Sequence, residues 1–284
     1  MNLAALQSFR IPAVRHAYAR KDAILYALGL GYGEDPLDPA QLRYVYEDGL
    51  AVVPSFCAVL AHPGFWVKDP ILEIDWRRLL HVEQRLEIHR ALAPEGCVEG
   101  RYRIAGVEDR GPDRGAVVRL EKQLVDPADD TSLATVTSLY LLRGDGGQGG
   151  FGEMSPTLGT LPERGADRVA ELPTLPQMAL LYRLSGDWNP IHADPQIARQ
   201  AGFDRPILQG LCTLGIATRA LVATYAARAP ERLAALCVRF TRPAYPGDTI
   251  RTEFFEDGDE IRFRSIAVER NEIVLDRGSA TLRT

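Results

Sequence analysis

The sequence predicts an α+β protein made of two similar halves, each with an apolar segment followed by antiparallel strands. A glycine-rich run at 143–152 divides the chain near its middle. In each half, segments in which apolar and polar residues alternate are separated by turns that contain Pro or Gly. A helix followed by hairpin-connected strands indicates a helix packed on an antiparallel sheet, and its occurrence twice indicates a duplication.

The second half has the clearest elements. Residues 207–227 are apolar over a length that predicts a helix of about five turns, and Pro206 suits its first turn. Strands are predicted after it at 236–240, 249–254, 261–268 and 279–282. In the first half, residues 52–60 take the place of the helix, and strands are predicted at 83–92, 97–104, 116–125 and 133–142. We therefore divide the chain into a first repeat at 1–143, a Gly- and Pro-rich linker at 144–172 and a second repeat at 173–284.

Composition and charge limit the classes of protein to which this chain can belong. The chain has 284 residues, of which 46% are hydrophobic and 25% charged, as is typical of a soluble protein with an ample core. A net charge of -5 without a basic stripe argues against nucleic acid as a partner. No apolar run approaches the roughly 20 residues that span a bilayer. The four cysteines lack CxxC spacing and the N-terminal residues lack a signal-peptide pattern, so we expect a reduced, cytoplasmic protein.

The most informative segment is 182–192, which reads YRLSGDWNPIH. Gly186 and Pro190 interrupt any regular helix there. The side chains of Asp187, Asn189 and His192 can therefore converge from a loop, and a histidine beside a carboxylate can exchange protons near neutral pH. Taken singly, the Asp and Asn are typical turn residues and a lone His is more often structural. The grouping of the three favours a catalytic interpretation.

A helix start follows this segment. Gly210 lies in the first turn of the apolar helix predicted after Pro206. The first four N–H groups of a helix have no intrahelical acceptor, and the helix dipole favours negative charge at that end. We predict that this helix start stabilises an oxyanion that develops as protons move, with the Gly210 N–H as the candidate donor. The sequence has no clustered metal ligands, and we expect neither a metal nor another cofactor.

The same segments resemble a known family. Residues 181–192, 201–208 and 210–213 resemble the signature of the MaoC-like (R)-specific enoyl-CoA hydratase (hydratase 2) family, which includes the hydratase unit of peroxisomal multifunctional enzyme type 2. Residues 26–32 and 80–84 resemble the non-catalytic repeat of those proteins. The resemblance implies a double hotdog fold, in which two sheets wrap around two central helices, and a homodimer that binds an acyl-CoA thioester. It also implies that the second repeat carries the catalytic groups, while the first makes room for the acyl chain. The matching positions are Asp187, Asn189, His192 and Gly210.

The implied reaction is the reversible hydration of trans-2-enoyl-CoA to (R)-3-hydroxyacyl-CoA, and which of Asp187 and His192 activates water is open. Gln209 stands where the family usually has His, and we expect it to bind substrate and to shift substrate preference. Arg205 is a candidate contact for a CoA phosphate. The alternatives are a hydratase or dehydratase acting on carrier-protein, branched or steroid-derived acyl thioesters, a thioesterase, and a non-catalytic acyl-CoA binding protein.

Overall fold

The computed structural model describes residues 1–226 and 229–283. In these ranges a single eleven-stranded sheet forms, and its paired strands are antiparallel. The strands are β1 Val14–Tyr18, β2 Leu79–Ile88, β3 Gly96–Asp109, β4 Ala116–Val125, β5 Ser132–Leu142, β6 Phe151–Gly152, β7 Arg168–Pro173, β8 Leu233–Phe240, β9 Thr249–Asp257, β10 Glu260–Ala267 and β11 Glu272–Leu282. The helices are α1 Leu3–Ser8, α2 Arg20–Leu28, α3 Pro39–Leu42, α4 Met178–Tyr182, α5 Pro195–Gln200 and α6 Gly210–Tyr225.

The sheet consists of two halves joined edge to edge. Across the sheet the strand order is β1, β3, β4, β5, β2, β8, β11, β10, β9 and β7, and β6 pairs with β3. The halves meet where β2 pairs with β8, with Glu83 opposite Arg239 and Glu87 opposite Ala235. The predicted α+β class is confirmed, and the repeats appear as two adjoining antiparallel halves of one sheet.

Helix α6 is the central helix of the second repeat. It is buried over the whole of 212–222, as expected for an apolar helix inside a core. It begins at Gly210, three residues after the predicted start, because the preceding backbone is extended and the Leu208 N–H pairs with the Ala244 carbonyl. The predicted end at Ala227 lies outside the described residues, as does Thr284 at the predicted end of the second repeat.

The same helix packs against the first repeat. A Cβ at Gly215 would lie 2.4 Å from Leu30 Cδ2, so a larger residue could not make this close approach without displacing its neighbour. Further along α6, the buried Arg219 donates to the Leu30 carbonyl at 3.3 Å and pairs with Glu34 at 3.3 Å. The two repeats therefore share one hydrophobic core around α6.

The first repeat has a shorter element where the second has α6. Within the predicted 52–60 segment, Pro54–Ala58 forms a single 3₁₀ helix. The buried Lys122 Nζ stabilises this segment, because it donates hydrogen bonds to the carbonyls of Cys57, Ala58 and Leu60 at 2.8–3.0 Å. Burial lowers the pKa of Lys122 to about 8. Beside the 3₁₀ helix lies a cavity of about 230 Å³, whose lining includes Pro54 and Cys57.

The predicted linker at 144–172 is ordered along part of its length. It contains β6, which pairs with β3, and nearly all of β7, which pairs with β9. The Asp109 carboxylate accepts hydrogen bonds from the N–H groups of Gly111, Gly147 and Gly149 at 2.6–2.8 Å. These backbone donors, Gly147 foremost, lower the pKa of Asp109. The prediction missed both strands because glycine content alone does not show that a neighbouring strand edge offers hydrogen bonds.

Candidate active site

The loop after α4 is shaped by its own turn residues. Gly186 has a positive φ of 115°, which few other residues adopt, and it ends the 3₁₀ helix Arg183–Ser185. The Asp187 Oδ1 then accepts the Asn189 N–H at 3.2 Å, and the Asn189 Oδ1 accepts the Ile191 N–H at 3.2 Å. Asn189 is thus the N-cap of a second 3₁₀ helix, Pro190–His192. Its side-chain oxygen is engaged in the loop, and its amide N–H groups form no hydrogen bond with a residue that the structure describes.

Asp187 and His192 lie together, as the sequence predicts. The His192 Nε2 is 3.6 Å from the Asp187 Oδ2, and the imidazole is 9% exposed whereas the carboxylate is 43% exposed. The other ring nitrogen, Nδ1, lies 2.9 Å from the Ile207 carbonyl oxygen. Since a carbonyl only accepts, Nδ1 carries the proton in the neutral ring and Nε2 faces Asp187 with a free lone pair.

The protein environment favours the neutral imidazole. Burial lowers the pKa of His192, while the Asp187 carboxylate and the Ile207 carbonyl act in the opposite direction and the Arg183 guanidinium acts with burial. The net result is a pKa below its usual value of 6.5. At neutral pH the ring is therefore a proton acceptor at Nε2, beside a carboxylate that reaches solvent.

We call Asp187 and His192 the dyad. The start of α6 is close to the dyad in the chain, because the Ile207 carbonyl that contacts His192 lies three residues before Gly210. Gly210 is an exposed residue and the first of α6, so its N–H has no intrahelical acceptor. A Cβ at Gly210 would lie 3.3 Å from Phe240 Cε1, so a side chain there would narrow the space against that ring. The structure thus brings together Asp187 and His192, and it places the predicted oxyanion donor three residues along the chain from the carbonyl that contacts His192.

The first repeat supplies part of the surrounding wall, which the sequence prediction missed. Burial lowers the pKa of His62 and raises that of Tyr140, and in both cases the nearby Asp187 carboxylate acts to raise it. His81 packs between Tyr140 and Phe240, with ring centroids 4.9 Å from each. The resemblance of residues 80–84 to the family could have indicated this wall. The sequence analysis, however, assigned site residues only in the second repeat.

His81 does not pair with the Glu83 carboxylate, although the two residues are near in sequence. The His81 Nε2 donates to the Glu83 backbone carbonyl at 3.2 Å, and burial lowers the pKa of His81 to about 4. The Glu83 carboxylate instead pairs with Arg85 at 2.6 Å and with Arg239 across the β2–β8 junction at 3.8 Å. His81 is thus a neutral packing residue behind the Phe240 ring that covers Gly210.

Arg205 contacts a carboxylate and an aromatic ring of the second repeat. Its guanidinium is 3.7 Å from the Asp248 carboxylate and sits over the Tyr245 ring, 5.0 Å from the centroid. Asp248 also pairs with Arg270 at 2.7 Å. No hydrogen bond or ion pair joins Arg205 to the dyad within the described part of the chain.

Comparison with known proteins identifies the family. Residues 16–144 match the MFE-2 hydratase 2 N-terminal domain, and residues 157–277 match the MaoC like domain. Enoyl-CoA hydratase ChsH3 of Mycobacterium tuberculosis is 36% identical over 273 residues, covering 95% of this chain and 94% of that protein. The chain belongs to the MaoC-like hydratase 2 family. The peroxisomal enoyl-CoA hydratase 2 of Arabidopsis thaliana is 34% identical over 296 residues, covering 95% of this chain and 92% of that protein.

Solved structures confirm the double hotdog fold of this hydratase 2 chain. A MaoC-like dehydratase from Phytophthora capsici superposes with a TM-score of 0.87 at 28% identity, covering 100% of this chain and 99% of that one. A Mycobacterium tuberculosis protein described as a double hotdog superposes with a TM-score of 0.56 at 16% identity, covering 97% of this chain and 94% of that one, which supports the fold alone. Within 1–226 and 229–283, no helix is long and apolar enough to cross a lipid bilayer, and no group of His, Cys, Asp and Glu residues is arranged to hold a metal ion.

Gln209 occupies the position at which the hydratase 2 family usually has histidine. Its side chain is 1% exposed, and Nε2 donates to the Ala179 carbonyl in α4 at 3.1 Å. The Oε1 atom is buried without a hydrogen-bond partner in the described residues. Gln209 therefore connects the start of α6 to the helix that leads into the Asp187 loop.

Proposed function

We propose that this chain catalyses the reversible hydration of trans-2-enoyl-CoA to (R)-3-hydroxyacyl-CoA. The observation that carries the proposal is the His192 tautomer. The Ile207 carbonyl holds the Nδ1 proton, so the Nε2 lone pair faces Asp187, and three residues after Ile207 the chain enters α6 at Gly210, whose N–H has no intrahelical acceptor. A base, a carboxylate and an oxyanion donor are the three groups that addition of water to an unsaturated thioester needs.

The dyad takes up one proton and gives one back in each turnover. The water oxygen bonds to C3 while one of its protons passes to the dyad, and the C2–C3 π electrons move toward the thioester oxygen. The Gly210 N–H and the α6 dipole stabilise the resulting enolate oxygen. The dyad then returns a proton to C2, so Asp187 and His192 regain their starting states. If both groups act on the same side of the substrate, the addition is syn.

The first repeat is proposed to hold the acyl chain, and the support is its short 3₁₀ helix. Pro54–Ala58 leaves a cavity of about 230 Å³ whose lining includes Val52, Ile88, Leu92 and Leu133. An apolar acyl chain that occupies this cavity would be sheltered from water there. Gln209 would influence substrate preference through the position of α6, and Arg205 stays a candidate for a CoA phosphate.

The proposal includes a homodimer in the cytoplasm. The homodimer follows from the family resemblance, and light scattering of the purified protein tests it by giving the mass of the particle. Fractionation of the cells that make the protein tests the compartment, because a peroxisomal or secreted pool would replace the cytoplasmic assignment.

The deciding experiment is hydration of trans-2-enoyl-CoA substrates of short, medium and long chain. Loss of the conjugated thioester absorbance measures the rate, and chiral analysis of the product measures the stereochemistry. Formation of the (R)-3-hydroxyacyl-CoA, absent from Asp187→Asn, supports the proposal. Release of free thiol would indicate a thioesterase, and binding of the thioester without turnover would indicate a non-catalytic module.

A further inference from the structure

Gln209 contacts both of the helices that border the candidate site. It is the N-cap residue of α6, and its backbone carbonyl accepts two N–H groups of that helix at 3.0 and 3.1 Å. Its side-chain Nε2 donates to the Ala179 carbonyl at 3.1 Å. Ala179 belongs to α4, after which the chain continues into the loop that carries Asp187. The helix before the dyad and the helix that begins at Gly210 are therefore joined through one side chain.

A second hydrogen bond joins the same two segments further along the loop. The His192 Nδ1 donates to the Ile207 carbonyl at 2.9 Å. The Gln209–Ala179 bond thus connects the start of the loop to the residues before α6, and the His192–Ile207 bond connects its end. Asp187 lies between these two points. Because a displacement of about 1 Å at a catalytic group can lower the rate about a hundredfold, the two bonds bear on turnover.

Stability alone does not account for the Gln209 amide. The side chain is 1% exposed, and its Oε1 has no hydrogen-bond partner among the described residues, which costs free energy. The Ala179 carbonyl also accepts the Arg183 N–H, so it would keep a partner without Gln209. Replacing the amide by an apolar group would remove one hydrogen bond and one unpaired buried acceptor, and these changes affect stability in opposite directions. An unbranched apolar side chain would therefore stabilise the fold about equally well.

A second buried glutamine shows the contrasting arrangement. Gln84 is also 1% exposed, but both atoms of its amide have partners. Its Nε2 donates to the Thr137 carbonyl at 3.0 Å, and its Oε1 accepts the Ser138 hydroxyl at 2.9 Å. The amide of Gln84 thus stabilises the pairing of β2 with β5. The half-paired amide of Gln209 is accounted for only by the contact that it makes with α4.

We propose that Gln209 is a positioning residue for the hydration reaction, an inference that rests on the proposed function. Its N–H donor keeps the α4 end of the Asp187 loop in register with the start of α6, and thus with Gly210. In glutamine and in histidine the Nε2 atom is the same number of bonds from Cα, and both can carry a proton there. Gln209 therefore preserves the donor of the histidine that the family usually has at this position.

The test measures turnover and stability in the same variants. For Gln209→Met we expect kcat to fall by roughly tenfold to a hundredfold, KM to change by less than about threefold, and the urea midpoint of unfolding to stay near that of the wild type. Gln209→His restores the donor and should recover most of the turnover. The control is Thr252→Val, which removes a buried hydroxyl that pairs with Ser265 at 3.0 Å between β9 and β10. It should lower the urea midpoint and leave kcat unchanged.

Hydrogen exchange tests the contact without turnover. Exchange of the backbone N–H groups in residues 183–193 should be about fivefold faster in Gln209→Met, the factor expected for one lost hydrogen bond, and unchanged in Thr252→Val. A wild type that hydrates no enoyl-CoA while exchange responds in this way would refute the proposed function and support the contact. Wild-type kcat or unchanged exchange in Gln209→Met would overturn the positioning role and leave hydration intact. A Gln209→His variant as slow as Gln209→Met would also overturn it.

Discussion

Replacing both members of the dyad should reduce turnover no further than the more damaging single replacement. The His192 Nε2 and the Asp187 Oδ2 are 3.6 Å apart, so one proton route uses both groups. Loss of a positioned acid–base group typically lowers the rate by about 10²–10⁴, which corresponds to about 3–5 kcal/mol of transition-state stabilisation. If the two groups acted independently, their losses would sum to about 6–10 kcal/mol in the double variant, whereas the loss stays near the single value when the groups act as a unit.

The assay is kcat for Asp187→Asn, His192→Gln and their double variant, followed by the loss of conjugated thioester absorbance. Circular dichroism and thermal melting confirm that each variant folds. The matched control is Asp38→Asn, because the Asp38 carboxylate accepts the N–H two residues ahead at 2.9 Å, as the Asp187 carboxylate does at 3.2 Å, but belongs to the first repeat. Its turnover should match that of the wild type.

Two results would refute this reasoning. If either single variant kept most of its turnover, that residue would lie off the proton route. If the two losses added in the double variant, Asp187 and His192 would be working on separate steps, and the shared route drawn from their geometry would be wrong.

The remaining predictions concern protonation, access and stability. The His192 pKa, measured by NMR, should lie below 6.5, so stability should fall as pH drops from 6.5 through the lower folded-state pKa, where the unfolded chain binds more protons. Asp187→Asn should lower the pKa further because it removes a charge that raises it. Gly210→Ala should lower kcat, since the new Cβ would lie 3.3 Å from the Phe240 ring, and Phe240→Leu should restore part of it. Lys122→Met should lower the free energy of unfolding in urea by roughly 1–3 kcal/mol, because three buried carbonyls lose their donor.

Each of these predictions has a contrary outcome. A His192 pKa at or above 6.5 would mean that burial does not dominate its environment. Unchanged kcat in Gly210→Ala would show that the thioester does not approach this glycine. A Lys122→Met variant as stable as one with Lys21→Met, a change in helix α2, would show that the three carbonyl contacts contribute nothing measurable.

The elements that the sequence predicted well are those whose burial follows a simple period. The strand at 116–125 has the predicted bounds, because its apolar residues continue until the turn residues that end it. The Asp187 loop was also predictable, since Gly186 and Pro190 restrict the backbone locally. The edge strand β1 and the strand β7 were missed, because their short segments form strands only through the partners β3 and β9.

The unpredicted parts of the site depend on contacts between distant residues. The Nδ1 proton of His192 is assigned by the Ile207 carbonyl, and no local pattern joins positions that are fifteen residues apart. His62 and Tyr140 lie near Asp187 although they belong to the first repeat, which joins the second where β2 pairs with β8. Side-chain partners of this kind follow from the fold as a whole, whereas the residue types at the site follow from the sequence.

The β2–β8 junction makes each repeat dependent on the other. Cutting the chain between β6 and β7 would leave β2 as an exposed edge of one fragment and β8 as an exposed edge of the other. Unpaired backbone groups on such edges recruit a partner strand. The fragments would then reassemble in the register that sets Glu83 opposite Arg239. Because the wall around Asp187 comes from the first fragment and the dyad from the second, catalysis would return only on reassembly, which makes this chain a natural template for a split-enzyme reporter of protein proximity.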